Sequence, residues 1–133
     1  MIGWPIQKAV YQKLIADTAL MAKIVGVYDA VPQGTAYPYI SIGEDTSLQW
    51  DTDDSDGVES TLTLHAWSRQ YGRRESKEIM DLVHGALHRA ELQIDDADSV
   101  FCHFEFSESF MDPDGVTRHG VMRYRIVAEE AQS

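Results

Sequence analysis

Basic residues are scarce in this chain. Four lysines and seven arginines stand against 22 acidic residues, a formal net charge of -11 with a sequence pI near 4.6. Binding a phosphate backbone requires clustered cations that release counterions. Lys8, Lys13, Lys23 and Lys77 lie apart and the arginines are scattered, so stable nucleic-acid binding is not expected and a surface this acidic repels DNA. Cysteine is scarcer still. Cys102 stands alone, which excludes an internal disulfide framework and a cysteine metal knuckle and leaves a small core or half-buried residue as its expected role. No apolar run approaches the roughly 18 residues of a membrane span, and residues 1–10 lack the basic, apolar and small-residue order of an export signal. The expectation is a soluble protein with no membrane contact, made in a cytoplasm. No Walker sequence, dinucleotide fingerprint or G-x-S-x-G elbow occurs, even around Ser68.

What is present suits one globular domain: 133 residues, 44% of them apolar, around a single core. Two of the four prolines, Pro32 and Pro38, sit with Gly34 in residues 27–42, between a helical segment and an apolar run. Proline fixes φ, removes a donor and pushes the preceding residue to extended geometry. The chain must therefore turn here, with a strand beginning near Pro38.

Ahead of this turn, Ile6, Val10, Leu14 and Ile15 recur at helical spacing from Trp4 to about Ala16, with Pro5 in the first turn. Asp17 can cap a second short helical stretch that stops at Gly26. Residues 39–44 read as a strand. Residues 45–57 hold five aspartates and no aliphatic side chain after Leu48, the composition of a mobile acidic loop. Trp50 is the exception in it, either tucked back on the body or an anchor for a partner. From Val58 to Ser68, Leu62, Leu64 and Ala66 alternate with Glu59, Thr61, Thr63, His65 and Trp67, a half-buried strand. Residues 72–90 make the best helix, with Ile79, Leu82, Val83, Ala86 and Leu87 on one face. Leu92 and Ile94 could add a short strand. Val100 to Phe110 alternates with Cys102, Phe104 and Phe106 on one side, Asp112-Pro113-Asp114-Gly115 is a turn, and residues 117–128 return as a strand. Residues 129–133 read as a short polar tail. The pattern predicts an α+β domain: an antiparallel β-sheet with an N-terminal helix and one long helix packed on one face.

No constellation supports chemistry. If Gly57 is the sixth position of a calcium loop, the first and twelfth fall on Thr52 and Thr63, where carboxylates are required. His84 and His88 are four apart on a helix, but Gly85 stands where a zinc-protease glutamate belongs, and exposed helix histidines are the expectation. Cys102 and His103 are adjacent on a strand and point to opposite faces. His65 or His119 from a neighbouring strand remains the geometric alternative for Cys102. The chain is expected not to be an enzyme and to use no cofactor or metal.

Three blocks carry a family likeness: residues 27–33 (VYDAVPQ) running on to residues 37–40 (YPYI); residues 64–68 (LHAWS) followed by the long helix; and residues 112–115 (DPDG) with 117–121 (TRHGV). In this order and spacing the chain resembles the tail-completion or tail-terminator proteins of long-tailed bacteriophages, prophages and gene transfer agents. The resemblance covers most of the chain. It implies a virion structural protein that assembles as a ring, typically a hexamer, on the head-proximal end of the tail tube. There it would stop polymerisation and offer a surface for head-tail joining to the head-side connector or stopper. The implied partners are further copies of the chain, the tail tube protein and the connector, with DNA passing through an acidic lumen without specific binding. From composition, the tube or lumen contact is expected at Trp50, Asp51, Asp53, Asp54 and Asp56. A head-side stopper or adaptor shares the size and acidity, and a small α+β enzyme or ligand-binding module would instead hold a pocket between helix and sheet.

Overall fold

The chain begins with a helix whose buried side is written every fourth residue. In α1 (Gly3–Ile15) Ile6, Val10 and Leu14 are buried. Asp17 then starts a second helix, α2 (Thr18–Met21), as its N-cap: Asp17 Oδ1 accepts the Leu20 N–H at 2.9 Å. These features come from a computed structural model that describes residues 2–130.

Five strands follow, interrupted by one long helix: β1 (Val27–Tyr28), β2 (Tyr39–Gln49), β3 (Gly57–Ser68), α3 (Arg74–Leu87), β4 (Ala97–Met111) and β5 (Arg118–Glu130). The sheet order is β1-β2-β3-β5-β4. Four strands are antiparallel, but β1 runs parallel to β2, with Val27 beside Ile40, so the sheet is mixed rather than purely antiparallel. The ten irregular residues 29–38, which include a cis Tyr37–Pro38 peptide, carry the chain back far enough for the next strand to run in the same direction.

Period-two alternation sets the core. Leu62, Leu64 and Ala66 of β3, Met122, Tyr124, Ile126 and Ala128 of β5, Cys102 of β4 and Ile40 and Ile42 of β2 are buried with Ile79, Val83 and Leu87 of α3 and the apolar side of α1. The helices thus share one face of the sheet. Gly120 of β5 allows a close approach: a Cβ there would lie 2.5 Å from Met80 Sδ.

The ladders correct several boundaries. Residues 45–49 are strand, paired with Val58–Leu62, so the free connection shrinks from 45–57 to residues 50–56. Side chains there bury little, but the cross-strand ladder satisfies their backbone groups, which a composition-based reading leaves out. Leu92 and Ile94 are buried without belonging to a strand. A bulge between Phe104 and Phe106 moves Phe106 to the face opposite Phe104. Phe104 lies beside Tyr124 and Phe106 beside Arg123, so the expected row of Cys102, Phe104 and Phe106 is broken. Glu129 and Glu130 end β5 rather than start a tail, and residues 131–133 of that expected tail lie outside the described residues.

Candidate assembly surfaces

The turn between β2 and β3 gathers Trp50, Asp51, Asp53, Asp54 and Asp56 at one end of the sheet. It is cross-braced: the Trp50 N–H donates to Gly57 O (2.9 Å), the Thr52 N–H to Ser55 O (2.9 Å), and Asp51 Oδ1 accepts the Gly57 N–H (3.0 Å). The Gln49 side chain also donates to Asp51, and these hydrogen bonds, Gln49 first, hold the Asp51 carboxyl below its ordinary range. Trp50 is half-buried and packs against Gly57, where a Cβ would come within 2.3 Å of Trp50 O and 3.1 Å of its ring. The indole is therefore tucked onto the strand. Asp51, Asp53, Asp54 and Asp56 are exposed.

On the sheet face away from the helices, four titratable side chains form a line across β2, β3, β5 and the β4–β5 turn. His65 Nδ1 is 2.7 Å from His119 Nε2, His65 Nε2 is 3.3 Å from Glu44 Oε2, and His119 Nδ1 is 3.4 Å from Asp112 Oδ1. If both outer nitrogens donate to their carboxylates, the inner two face each other with room for one shared proton. That arrangement gives the pair a single positive charge between two carboxylates. A further proton would set N–H against N–H. Burial, followed by the neighbouring His65, lowers the His119 pKa, with Asp112 opposing. Trp67 stacks on His119 with ring centroids 3.8 Å apart and donates to Ser41 Oγ at 2.9 Å. The β2 bulge between Ile42 and Asp45 aims Glu44 at this line. Gly43 leaves the space for His65, whose Nε2 would be 2.5 Å from a Cβ there.

On the other face, His84 and His88 are half-buried rather than freely exposed. Their rings stack at 4.6 Å, and His88 Nδ1 accepts the Phe104 N–H at 3.0 Å, tying α3 to β4 next to its bulge. Cys102 is fully buried on this helix side, so the sheet separates it from His65 and His119. Burial pushes its thiol up to about 12. Cys102 thus meets neither histidine, and among the described residues no three His, Cys, Asp or Glu side chains converge as metal ligands.

The end of the sheet opposite the acidic turn carries charges of both signs, with Glu75, Glu78, Asp112 and Asp114 beside a run of cations. Arg69, Arg73, Arg74 and Lys77 place four of the 11 cations within nine residues, so these cations are less scattered than a residue count suggests. Arg74 pairs with Glu78 at 2.6 Å, and Arg69 lies over the Tyr37 ring at 4.4 Å.

The described residues thus form an α+β subunit with its helices on one face and uncovered sheet edges. The family model for tail completion protein gp17 matches residues 8–129, and the chain belongs to that family of virion structural proteins, which are not enzymes. It is 29% identical over 120 residues to the tail completion protein gp17 of Bacillus phage SPP1, covering 90% of this chain and 89% of that one. Among solved structures, it superimposes on a chain in the virion of a native gene transfer agent particle with a TM-score of 0.86 and 27% identity, over 93% of this chain and 94% of that one. The bacteriophage SPP1 gp17 structure shares the fold at a TM-score of 0.63 and 24% identity, over 95% and 94% of the two chains. The chain is thus a tail component of a phage or gene-transfer-agent particle.

Proposed function

We propose that the chain closes the head-proximal end of the tail tube as a ring of six copies, ends tube polymerisation and presents its outer side to the head-side connector or stopper. The carrying observation is the pair of open sheet edges. Beyond the two residues that pair with β1, the outer half of β2 has no neighbour on that side, and β4 has none along its free edge, among the described residues. Uncovered strands on opposite edges of one sheet suit a head-to-tail contact, and such contacts close into rings.

Charge supports the same reading. Subunits of net charge -11 would line a lumen that repels the DNA passing through it. The exposed aspartates of residues 51–56, with Trp50 bracing their turn, form the tube- or lumen-facing contact in this proposal. The test is the mass in solution by light scattering over a concentration series, with negative-stain images of protein alone and protein mixed with tail tubes. Six-fold rings, free or on tube ends, are expected. A monomer that also fails to bind tubes would overturn the reading.

A further inference from the structure

We infer that neighbouring copies meet in one register: residues 107–111 of β4 pair antiparallel with residues 45–49 of β2 in the next copy, with Ser109 beside Ser47. This contact rests on the ring proposed above and specifies how its subunits join.

Hydrogen-bond parity identifies the open backbone groups. In an antiparallel ladder successive residues turn their N–H and C=O alternately to the two sides of the strand. The Trp50 N–H donates to Gly57 O on β3 (2.9 Å), so Gln49, Ser47 and Asp45 turn theirs to the outer side of β2. At the other edge the Asp112 N–H donates to Thr117 O (2.8 Å), so Met111, Ser109 and Ser107 turn theirs away from β5. Each set is a row of alternate residues, and the two rows match in length. Beyond them both edges are closed. On β2 the Ile40 N–H donates to Gly26 O (3.1 Å), and β1 lies beside Ile40 and Ser41. On β4 the end of α3 takes the middle of the strand: the Arg89 N–H donates to Cys102 O (2.7 Å), and the Phe104 N–H donates to His88 Nδ1 (3.0 Å). The bulges between Ile42 and Asp45 and between Phe104 and Phe106 separate each closed stretch from its open one.

Side chains favour a second copy as the occupant. In this register Gln49 lies beside Ser107 and Asp45 beside Met111, with no like charges directly opposed. On the face away from the helices, Trp50 comes opposite Phe106, and Leu48 falls diagonally between Phe106 and Phe110. Leu48, Phe106 and Phe110 are 64%, 37% and 37% exposed in the single chain, so the contact covers apolar surface that the fold leaves open. Glu44 and Asp112 fall past the last pair, each against a histidine of its own sheet. A strand from a different protein laid on β4 would leave β2 of the same subunit open. Copies joined head to tail cover both edges at once.

The stagger also suits closure. Within one sheet Ser47 is level with Ile126 through Ser60, while Ser109 is level with Gly120, six residues along β5. A six-residue step across the four strands β2, β3, β5 and β4 tilts the strands by about 45° from the ring axis, within the range at which sheets close into barrels. Without the stagger, Ser47 would face Cys102, whose carbonyl Arg89 already holds.

The experiment is cysteine cross-linking in the full chain, with and without tail tubes. Ser47→Cys with Ser109→Cys should give, under mild oxidation, a ladder of disulfide-linked oligomers on a non-reducing gel, because facing residues of such a pair stand about 5.5 Å apart at Cα. Ser47→Cys alone, which an unstaggered contact would set beside Cys102, should give nothing beyond a dimer. Ser109→Pro removes an N–H that faces the open edge, so the variant should keep its circular dichroism and lose assembly by at least tenfold in the concentration required. If that variant misfolds, the cross-link decides. Normal rings with no ladder from the double variant would overturn the register and leave the ring standing, as would a folded Ser109→Pro chain that assembles normally. A parent chain that forms no ring, free or on tubes, would overturn the ring and this contact with it.

Discussion

His65 and His119, 54 residues apart in sequence, face each other across β3 and β5 with 2.7 Å between Nδ1 and Nε2. At that distance only one proton fits between them. The unfolded histidines each take up a proton near pH ~6.5, whereas the folded His119 resists it, its pKa lowered by burial and then by His65. Below that pH the unfolded chain binds more protons, so the contribution is fully present above it and is lost as pH falls. Glu44 and Asp112 face the pair from β2 and the turn, and Arg123 acts on Glu44 from β5. The urea midpoint should drop between pH 7 and 5, and His119→Phe, which keeps a ring against Trp67, should flatten that part of the profile. An unchanged slope in the variant would rule out the pair as its source.

Gly43 should be intolerant of a side chain for a local reason. Alanine there would place Cβ 2.5 Å from His65 Nε2 and 3.3 Å from Thr63 O. The imidazole must move away from Glu44. Gly43→Ala should cost about 1–3 kcal/mol in denaturant unfolding, as other overpacking changes do. In a His65→Ala background most of that cost should vanish, and a cycle showing simple additivity would place the clash elsewhere.

Cys102 should be silent toward thiol reagents until the chain unfolds. It has no exposed surface, and burial pushes the thiol up to about 12, so almost no thiolate is present near neutral pH. Labelling with a chromogenic disulfide reagent should be negligible in the native protein and rapid in denaturant. Fast native labelling would mean that β4 opens at Cys102.

Much of this architecture is legible in the residue pattern because period and capping are local. The alternation of β3, the Asp17 cap and the buried face of α3 all follow from neighbours a few positions apart. The strand residues 45–49 are not legible, since they are held by backbone pairing to β3 and not by apolar side chains. Phe106 is misplaced for a related reason: one extra residue at the bulge reverses every later side chain, and no composition signal marks it. The aspartates at 51–56 are found together at one end as their composition suggests, but the run of cations from Arg69 to Lys77 is hidden by counting cations over the whole chain. The His65–His119 contact depends on strand register, and the alternation that puts both on the outer face is its only trace in sequence.

The acidic turn gives a direct assembly prediction. Asp51→Lys, Asp53→Lys and Asp54→Lys together reverse charge at exposed positions of residues 50–56; the first also removes the acceptor of the Gly57 N–H, a loss local to the turn, so the sheet should survive while joining or DNA passage fails. Circular dichroism checks the fold, and infectious or transducing titre checks the function. Particles of full titre from a normally folded triple variant would remove this turn from the proposed contact.

Beside the backbone bonds from Asp112 N–H to Thr117 O and from Gly115 N–H to Asp112 O, Asp114 braces the β4–β5 turn. Its Oδ1 accepts the Val116 N–H at 2.9 Å and the Thr117 N–H at 2.8 Å, and its Oδ2 accepts the Thr117 hydroxyl at 2.7 Å. Those bonds, the Thr117 N–H first, draw the carboxyl pKa down to about 2. A depressed carboxylate stabilises the fold above the unfolded value, about 3.9, and the contribution is lost as pH falls through the folded value. Asp114→Asn removes the charge while keeping one acceptor, so the variant should unfold more readily at neutral pH and lose less stability than the parent between pH 4 and 2. Acid titrations followed by tryptophan fluorescence measure both. Because the same turn carries Asp112 to His119 at 3.4 Å, the substitution should also perturb the His119 resonances, and unchanged imidazole signals would show that the turn and the histidine pair are independent.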